Sequence, residues 1–172
     1  MSAADTAFAR PVTPDNFSRY GMVYELTGDI DPKVVWTAGD GWRDGFTKTS
    51  LIDGAGHLGV TRGGSAPWHC GAMERHPQTE EAIFCFAQPV VLAVAPASDA
   101  TAPDRNEIEA FVIAPGQAVV MDRNVWHDAC RGVSGPAPYY WMAVCGLGES
   151  PWVAVSGGPI KVSAAAGTGL TL

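Results

Sequence analysis

Short runs of hydrophobic residues, separated by Gly, Pro, Asn and Asp, recur along the chain. The clearest runs are residues 82–86, 90–95, 108–113, 118–121 and 139–144. They are rich in β-branched and aromatic residues, and almost no stretch shows the 3.6-residue period of a helix. We therefore predict an all-β fold with about ten short strands, an antiparallel sandwich or barrel.

Weaker patterns complete this picture. Further strands are predicted at residues 23–26, 34–37, 57–62 and 152–155, whereas residues 42–46 lie between turn residues. Thr13 before Pro14 is typical of a helix start, so a short turn or helix is expected there. Residues 96–106 predict one long loop. The ends, residues 1–9 and 157–172, are predicted to be loosely held parts of a single domain spanning residues 1–172.

Composition narrows the partners that this chain could have. Its 172 residues are 47% hydrophobic and 17% charged, which is enough apolar material for the core of one domain. The net charge is −7 and the 11 Lys and Arg residues are scattered, so no nucleic-acid partner is expected. No apolar run approaches the roughly 18 residues of a membrane span. A small anionic substrate is compatible with this charge, because a few buried Arg residues override net charge locally.

The cysteines bear on whether the protein is secreted or cytoplasmic. Cys70, Cys85, Cys130 and Cys145 contain no CxxC pair, which argues against a structural zinc site. Their even number would permit two disulfides in a secreted protein. The N-terminus has neither a basic nor an apolar signal region, so we expect a cytoplasmic protein with reduced, mostly buried thiols.

Candidate chemistry begins at Glu74 and His76. Alternate side chains of a strand share a face, so Glu74 and His76 should point the same way and Arg75 the other. Glu81 follows a turn and should re-enter on the next strand. His69 could be a further ligand, although an ordinary loop histidine is the favoured interpretation.

A second segment, far along the chain, ends at His127. An apolar strand, a polar turn and the string Val-Trp-His predict a hairpin whose second strand carries this histidine. If both segments face one cavity, Glu74, His76, Glu81 and His127 would form a mononuclear metal site or an acid–base site. Two imidazoles and two carboxylates suit one divalent ion of Fe, Mn, Ni or Zn. The alternative is that these are ordinary polar residues at a strand–turn–strand corner.

Other polar residues are candidates for substrate binding. Arg62 ends a predicted strand just before a Gly-Gly pair, where its guanidinium could grip a carboxylate with two hydrogen bonds. A solvated Arg at a strand end is the alternative. Arg123 and Tyr139 are further candidate substrate-binding residues. The candidate catalytic residues are Glu74, Arg62 and His127.

Two segments resemble those of a known family. Glu74-Arg75-His76-Pro77 with Ala82, and Arg123-Asn124-Val125-Trp126-His127, resemble the signature segments of ureidoglycolate lyases, formerly called ureidoglycolate hydrolases, in the cupin superfamily. Residues 11–21 are similar to the family's opening, and Arg62 falls where the family has an Arg before its first segment. The resemblance implies a single-domain cupin, which is a double-stranded β-helix or jelly-roll barrel.

The chain departs from the family pattern in ways that bear on the substrate. The family has Gln where this chain has Glu81, and the general cupin motif places a metal-binding Glu at that position. The first His of that general motif is Glu74 here. The family's Asp-Arg pair near the end of the last strand is replaced around Cys145 and Gly146.

The resemblance implies a homodimeric lyase that splits ureidoglycolate into glyoxylate and urea. Ureidoglycolate is a carbinolamine-type adduct, so its cleavage needs a base for the hydroxyl proton and an acid for the departing nitrogen. Glu81 favours an alternative, another metal-dependent cupin lyase, isomerase or dioxygenase acting on a small carboxylated substrate. A non-catalytic cupin that binds small molecules is the third hypothesis.

Overall fold

Two main β-sheets face each other across a shared core in the computed structural model, which describes residues 5–28 and 30–164. The strands are β1 (Thr6–Pro11), β2 (Gly21–Glu25), β3 (Val34–Gly39), β4 (Trp42–Thr47), β5 (His57–Gly63), β6 (Trp68–Cys70), β7 (Ala72–Met73), β8 (Glu81–Phe84), β9 (Val90–Ala95), β10 (Glu109–Ile113), β11 (Gln117–Met121), β12 (Trp126–His127), β13 (Arg131–Gly132), β14 (Ala137–Ala143), β15 (Val153–Ala154) and β16 (Ile160–Ala164). One short α-helix, α1 (Pro14–Phe17), and a 3₁₀ turn, Arg105–Glu107, accompany them.

The chain passes back and forth between the two sheets. The larger sheet has the strand order β12-β9-β10-β1-β16-β6, with β13 also paired to β9. The smaller sheet has the order β2-β11-β8-β14-β5. Between β8 and β14, successive strands or strand pairs belong alternately to the smaller and the larger sheet. This alternation is that of a double-stranded β-helix, and the predicted all-β cupin fold is confirmed.

The core between the sheets is built from alternate residues of their strands. Leu92 and Phe111 of the larger sheet pack with Ile83 and Val119 of the smaller one, and all four side chains are buried. The opposite face of β9 is buried as well, in a second cluster with residues of β6, β10 and β16. Burial on both faces explains why residues 90–95 form an uninterrupted apolar run.

The predicted helix start near Thr13 is confirmed. The Thr13 hydroxyl accepts a hydrogen bond from the Asn16 backbone N–H (3.2 Å), and the Asn16 side chain accepts one from the Thr13 N–H (2.9 Å). These reciprocal bonds form a capping box, which satisfies two donors at the start of α1. The helix ends at Phe17, whose ring packs against Phe111 in the core.

Parts of both predicted loose ends form strands. Residues 6–9 of β1 pair in parallel with residues 161–164 of β16, and β1 also pairs in parallel with β10. The prediction of loosely held ends is therefore wrong for residues 6–9 and 160–164, because their backbone groups take part in the larger sheet. Residues 1–4 and 165–172 of the predicted ends lie outside the described residues.

Two further segments differ from, or refine, the sequence prediction. Residues 42–46, placed among turns, belong to β4, which forms a hairpin with β3. The long loop at residues 96–106 contains the start of the 3₁₀ turn and a bridge between Asp104 and Ser156. The strand β4 thus pairs with its neighbour in sequence, whereas Asp104 pairs with a residue far along the chain, a contact that local composition does not predict.

The cysteines agree with the expectation of reduced, mostly buried thiols. All four are free; Cys70, Cys85 and Cys130 are buried and Cys145 is exposed. Within residues 5–28 and 30–164, the helices are too short and too polar to cross a bilayer.

Candidate active site

Two short segments lie side by side and bring the candidate residues together. The Glu74 N–H donates to the His127 carbonyl (3.0 Å), and the His127 N–H donates to the Glu74 carbonyl (2.9 Å). Farther along, the Asn124 N–H donates to the His76 carbonyl (3.0 Å). Asn124 has a left-handed φ of 65°, which forms the tight turn before β12. The two segments thus pair in antiparallel fashion.

Four titratable side chains converge where these segments meet β8. Glu81 begins β8, and its Oε2 lies 3.0 Å from His76 Nε2 and 3.2 Å from His127 Nε2. Glu74 Oε1 lies 3.9 Å from His127 Nε2. One ligand atom from each of Glu74, His76 and His127 falls within 4.8 Å of the other two. The predicted convergence of these four residues is therefore present in the structure.

Burial and opposite charge act against each other on the innermost pair. Burial favours the neutral carboxyl of Glu81, but the adjacent His127 and His76 outweigh it and lower the pKa of Glu81 to about 2. Burial also opposes the charged form of His127, but the Glu81 carboxylate outweighs it and raises the pKa of His127. The pair therefore favours an ionised carboxylate.

The pKa of Glu74 shifts in the opposite direction from that of Glu81. Burial raises its pKa, and the neighbouring carboxylates of Glu81 and Asp128 add to the rise, against the lowering effect of the two histidines. Two carboxyl groups in one site thus have pKa values pushed apart by their surroundings. Such a difference is typical of sites in which one carboxyl group holds charge and another exchanges a proton.

The donor atoms fit a divalent metal ion. Glu81 Oε2 and His127 Nε2 are buried, and neither makes a hydrogen bond of acceptable geometry within the described part of the chain. His127 Nδ1 lies 3.1 Å from the Val125 carbonyl, which can accept a hydrogen bond from it; in the neutral ring with its proton on Nδ1, Nε2 has a lone pair for a metal ion. Two imidazole nitrogens and carboxylate oxygens are suitable ligands for Fe, Mn, Ni or Zn.

The site opens into a cavity of about 420 Å³. Its lining residues are Thr61, Glu74, His76, Pro77, Gln78, Thr79, Glu81, Tyr139, Trp141, Ala143, Val144, Cys145, Gly146, Leu147, Gly148, Glu149 and Ser150. Among the described residues, the lining contains three carboxylates and no Lys or Arg. An anionic molecule in this cavity would need positive charge from a bound cation or from protonated imidazoles.

Comparison with known proteins places the chain in a family. The sequence model of the family described as ureidoglycolate lyase matches residues 4–151. The chain belongs to the ureidoglycolate lyase family. The segments around His76 and His127 both lie within the match. His76 lines the cavity, and His127 Nε2 lies 3.2 Å from the carboxylate of Glu81, which also lines it.

Curated members of the ureidoglycolate lyase family are similar over most of their length. The ureidoglycolate lyase of Mesorhizobium japonicum is 27% identical over 134 residues, which cover 76% of this chain and 81% of the relative. That of Rhodobacter capsulatus is 28% identical over 134 residues, with coverage of 75% and 80%.

A solved structure is also similar to the chain. It is RmlC from Streptococcus suis in complex with dTDP-D-xylose, at 9% identity, covering 75% of this chain and 73% of that one, with a TM-score of 0.39.

The structure does not bring every sequence candidate to the cavity. Tyr139 lines it, but Arg62 and Arg123 do not. On β5 the side chain of Thr61 faces the cavity, so Arg62, the next residue, lies on the opposite, exposed face. Arg123 forms an ion pair with Asp53 at the surface. These positions correct the expectation that Arg62 and Arg123 contact a substrate in this cavity.

One wall of the cavity was not anticipated. Residues 145–150 line it, although their only sequence pattern is a glycine-rich turn. The Ser150 Oγ lies 2.8 Å from the ring Nδ1 of His76. His69, the weaker ligand candidate, lies on β6 and is exposed, outside the lining.

Proposed function

We propose that this chain is a metal-dependent ureidoglycolate lyase, which splits ureidoglycolate into glyoxylate and urea. Membership of the family supports the substrate, which is a small carboxylate. The observation that carries the proposal is the convergence of Glu74, His76, Glu81 and His127 beside one cavity, which the first three of them line. Two carboxyl groups with divergent pKa values match the base and charge-holding roles that carbinolamine cleavage requires.

In this proposal His76, Glu81 and His127 hold one divalent ion of Fe, Mn, Ni or Zn. Glu81 suits a ligand because the neighbouring histidines keep its carboxylate ionised. When bound, the ion supplies positive charge that attracts the substrate carboxylate and stabilises negative charge on the hydroxyl oxygen. That charge is needed because the part of the lining that the structure describes has no Lys or Arg.

Glu74 is the proposed proton carrier. It faces the cavity, and its raised pKa suits a group that both accepts and releases a proton. Glu74 takes the hydroxyl proton; the O–H electron pair then forms the carbonyl of glyoxylate, and the C–N bond breaks with its electron pair on nitrogen. Glu74 returns the proton to that nitrogen, which completes urea and restores the carboxylate.

Tyr139 and Thr61 are proposed to orient the substrate from the cavity wall. Burial raises the pKa of Tyr139 well above its usual range, so its hydroxyl stays protonated at neutral pH and is available as a donor. Thr61 adds a second hydroxyl beside it on β5. These uncharged hydroxyl donors would be sufficient for a substrate carboxylate whose charge a bound metal ion would balance.

The direct test is product analysis. Protein loaded separately with each candidate metal is incubated with ureidoglycolate, and glyoxylate and urea are quantified. Equimolar release of both, faster than in buffer with the same metal, supports the proposal. Absence of urea and glyoxylate at every metal loading contradicts it.

We also propose that the chain forms a homodimer. The outer face of β5 exposes Leu58 and Val60 (65% and 59%), and β5 is an edge strand of the smaller sheet. Phe86, 68% exposed, packs with Tyr140 beside them. Contiguous apolar surface beside an open sheet edge is typical of an interface, and a second copy would cover both.

Light scattering tests this assembly. Wild-type protein should have twice the 18.1 kDa mass of one chain. Val60→Glu should shift it toward the monomer, because a charge would be buried in the interface. Phe8→Glu, at a residue 60% exposed on the larger sheet, is the matched control and should stay dimeric. A wild-type monomer, or a dimer unaffected by Val60→Glu, would contradict the proposed interface.

A cytoplasmic location is likewise a proposal. Its support is the set of four free thiols, three of them buried, since secreted proteins of this cysteine content more often carry disulfides. Localisation of the tagged chain in cells of its source would test it.

A further inference from the structure

The two histidines of the site are held by hydrogen bonds of different kinds. His127 Nδ1 lies 3.1 Å from the carbonyl oxygen of Val125, two residues earlier in the chain. His76 Nδ1 lies 2.8 Å from the hydroxyl oxygen of Ser150, 74 residues away. The ring of His127 is thus oriented by its own backbone. The ring of His76 is oriented by a side chain from another part of the fold.

Ser150 belongs to residues 145–150, which we name the wall segment because they line one side of the cavity. Within the described part of the chain, no backbone–backbone hydrogen bond ties the wall segment to the sheets. At its start the Cys145 N–H donates to His57 Nδ1 (3.2 Å), and at its end Ser150 contacts His76. Between them, Gly146 and Gly148 have positive φ values of 80° and 129°.

We infer that Ser150 is a positioning residue for the metal site, an inference that rests on the proposed metal at His76. To bind an ion through Nε2, His76 must carry its proton on Nδ1, and Ser150 Oγ is placed to accept that hydrogen bond. The bond fixes both the tautomer and the direction of the ring. It also links the position of the wall segment to the orientation of a metal ligand.

Titration with Mn²⁺, with free ion counted by electron paramagnetic resonance, tests this role. Ser150→Ala should weaken Mn²⁺ binding by about 10- to 100-fold, the usual cost of removing a partner of a ligating histidine. Ser150→Thr keeps the hydroxyl and should restore most of the affinity. Ser18→Ala is the matched control, because Ser18 donates to the Asp15 carbonyl outside the cavity. Thermal unfolding of the metal-free proteins should be alike in all variants.

The outcomes separate this inference from the proposed function. Equal Mn²⁺ affinity in wild type and Ser150→Ala would overturn the inference while leaving ureidoglycolate cleavage untouched. A wild type that binds no Mn²⁺, Zn²⁺, Ni²⁺ or Fe²⁺ would also overturn it, whatever the activity. Weakened binding in Ser150→Ala, rescued by Thr, would support it even if ureidoglycolate proved not to be the substrate.

Discussion

Glu74→Gln should lower kcat for ureidoglycolate cleavage by about 10²- to 10⁴-fold, the usual contribution of one general acid–base group. Gln has the same shape but cannot take up the hydroxyl proton. Glu74 Oε1 lies 3.9 Å from His127 Nε2, whereas Glu81 Oε2 lies 3.2 Å from it. Because Glu81 is the proposed carboxylate ligand, the variant should keep its metal. Steady-state kinetics and elemental analysis on the same preparation measure both quantities.

A neighbouring carboxylate provides the control for Glu74→Gln. Glu80 is outside the cavity lining, and its side chain accepts a hydrogen bond from the Asp53 N–H. Glu80→Gln should therefore have the wild-type kcat. Loss of metal in Glu74→Gln would make Glu74 a ligand, as its place in the group with His76 and His127 also permits. Wild-type kcat in that variant would remove Glu74 from the mechanism.

His127→Ala should lower metal affinity by more than about 100-fold, since even an outer partner of a ligating histidine is worth 10- to 100-fold. Activity should fall with metal content. The side chain of His127 is only 5% exposed and neighbours an ionised Glu81, so its loss leaves that buried carboxylate with one partner fewer. Unfolding is therefore expected at lower temperature as well.

Two further variants keep this test informative if His127→Ala folds poorly. His76 has a side chain 23% exposed, and His76→Ala should lose metal with less effect on stability. His69→Ala, on the exposed face of β6, should keep the wild-type metal content. Full metal content in both His127→Ala and His76→Ala would show that the ion is bound elsewhere.

Strand alternation predicted the centre of the site well. Glu74 and His76, two residues apart, both line the cavity as alternation predicts, and the chain returns at Glu81 after the bend that follows His76. The partnership with His127 could be proposed from the second motif, since both motifs end apolar runs. The local sequence pattern does not predict the backbone hydrogen bonds between Glu74 and His127 that join the two segments.

Arg62 shows why the cavity wall was harder to predict. Alternation states that Thr61 and Arg62 occupy opposite faces, but not which face is inside, and a shift of one residue exchanges them. The inward face is decided by pairing with β14, where Thr61 lies opposite Tyr139. Such pairing depends on residues far away in the sequence.

The pairing of the ends and the wall segment were missed for a related reason. Residues 6–9 are held by β16, more than 150 residues away, and that contact leaves no local periodicity. Residues 145–150 are rich in glycine, which marks a turn but not its neighbours. Ser150 gains its importance only through its contact with His76.

Cleavage of ureidoglycolate beside Glu74, His76, Glu81 and His127 has a direct consequence, the release of both products. The most direct measurement is simultaneous quantification of glyoxylate and urea released from ureidoglycolate by metal-loaded wild type, with Glu74→Gln measured beside it. We expect equimolar products from wild type and a rate lower by about 10²- to 10⁴-fold in the variant. Wild type that forms neither product, or a variant as fast as wild type, would contradict it.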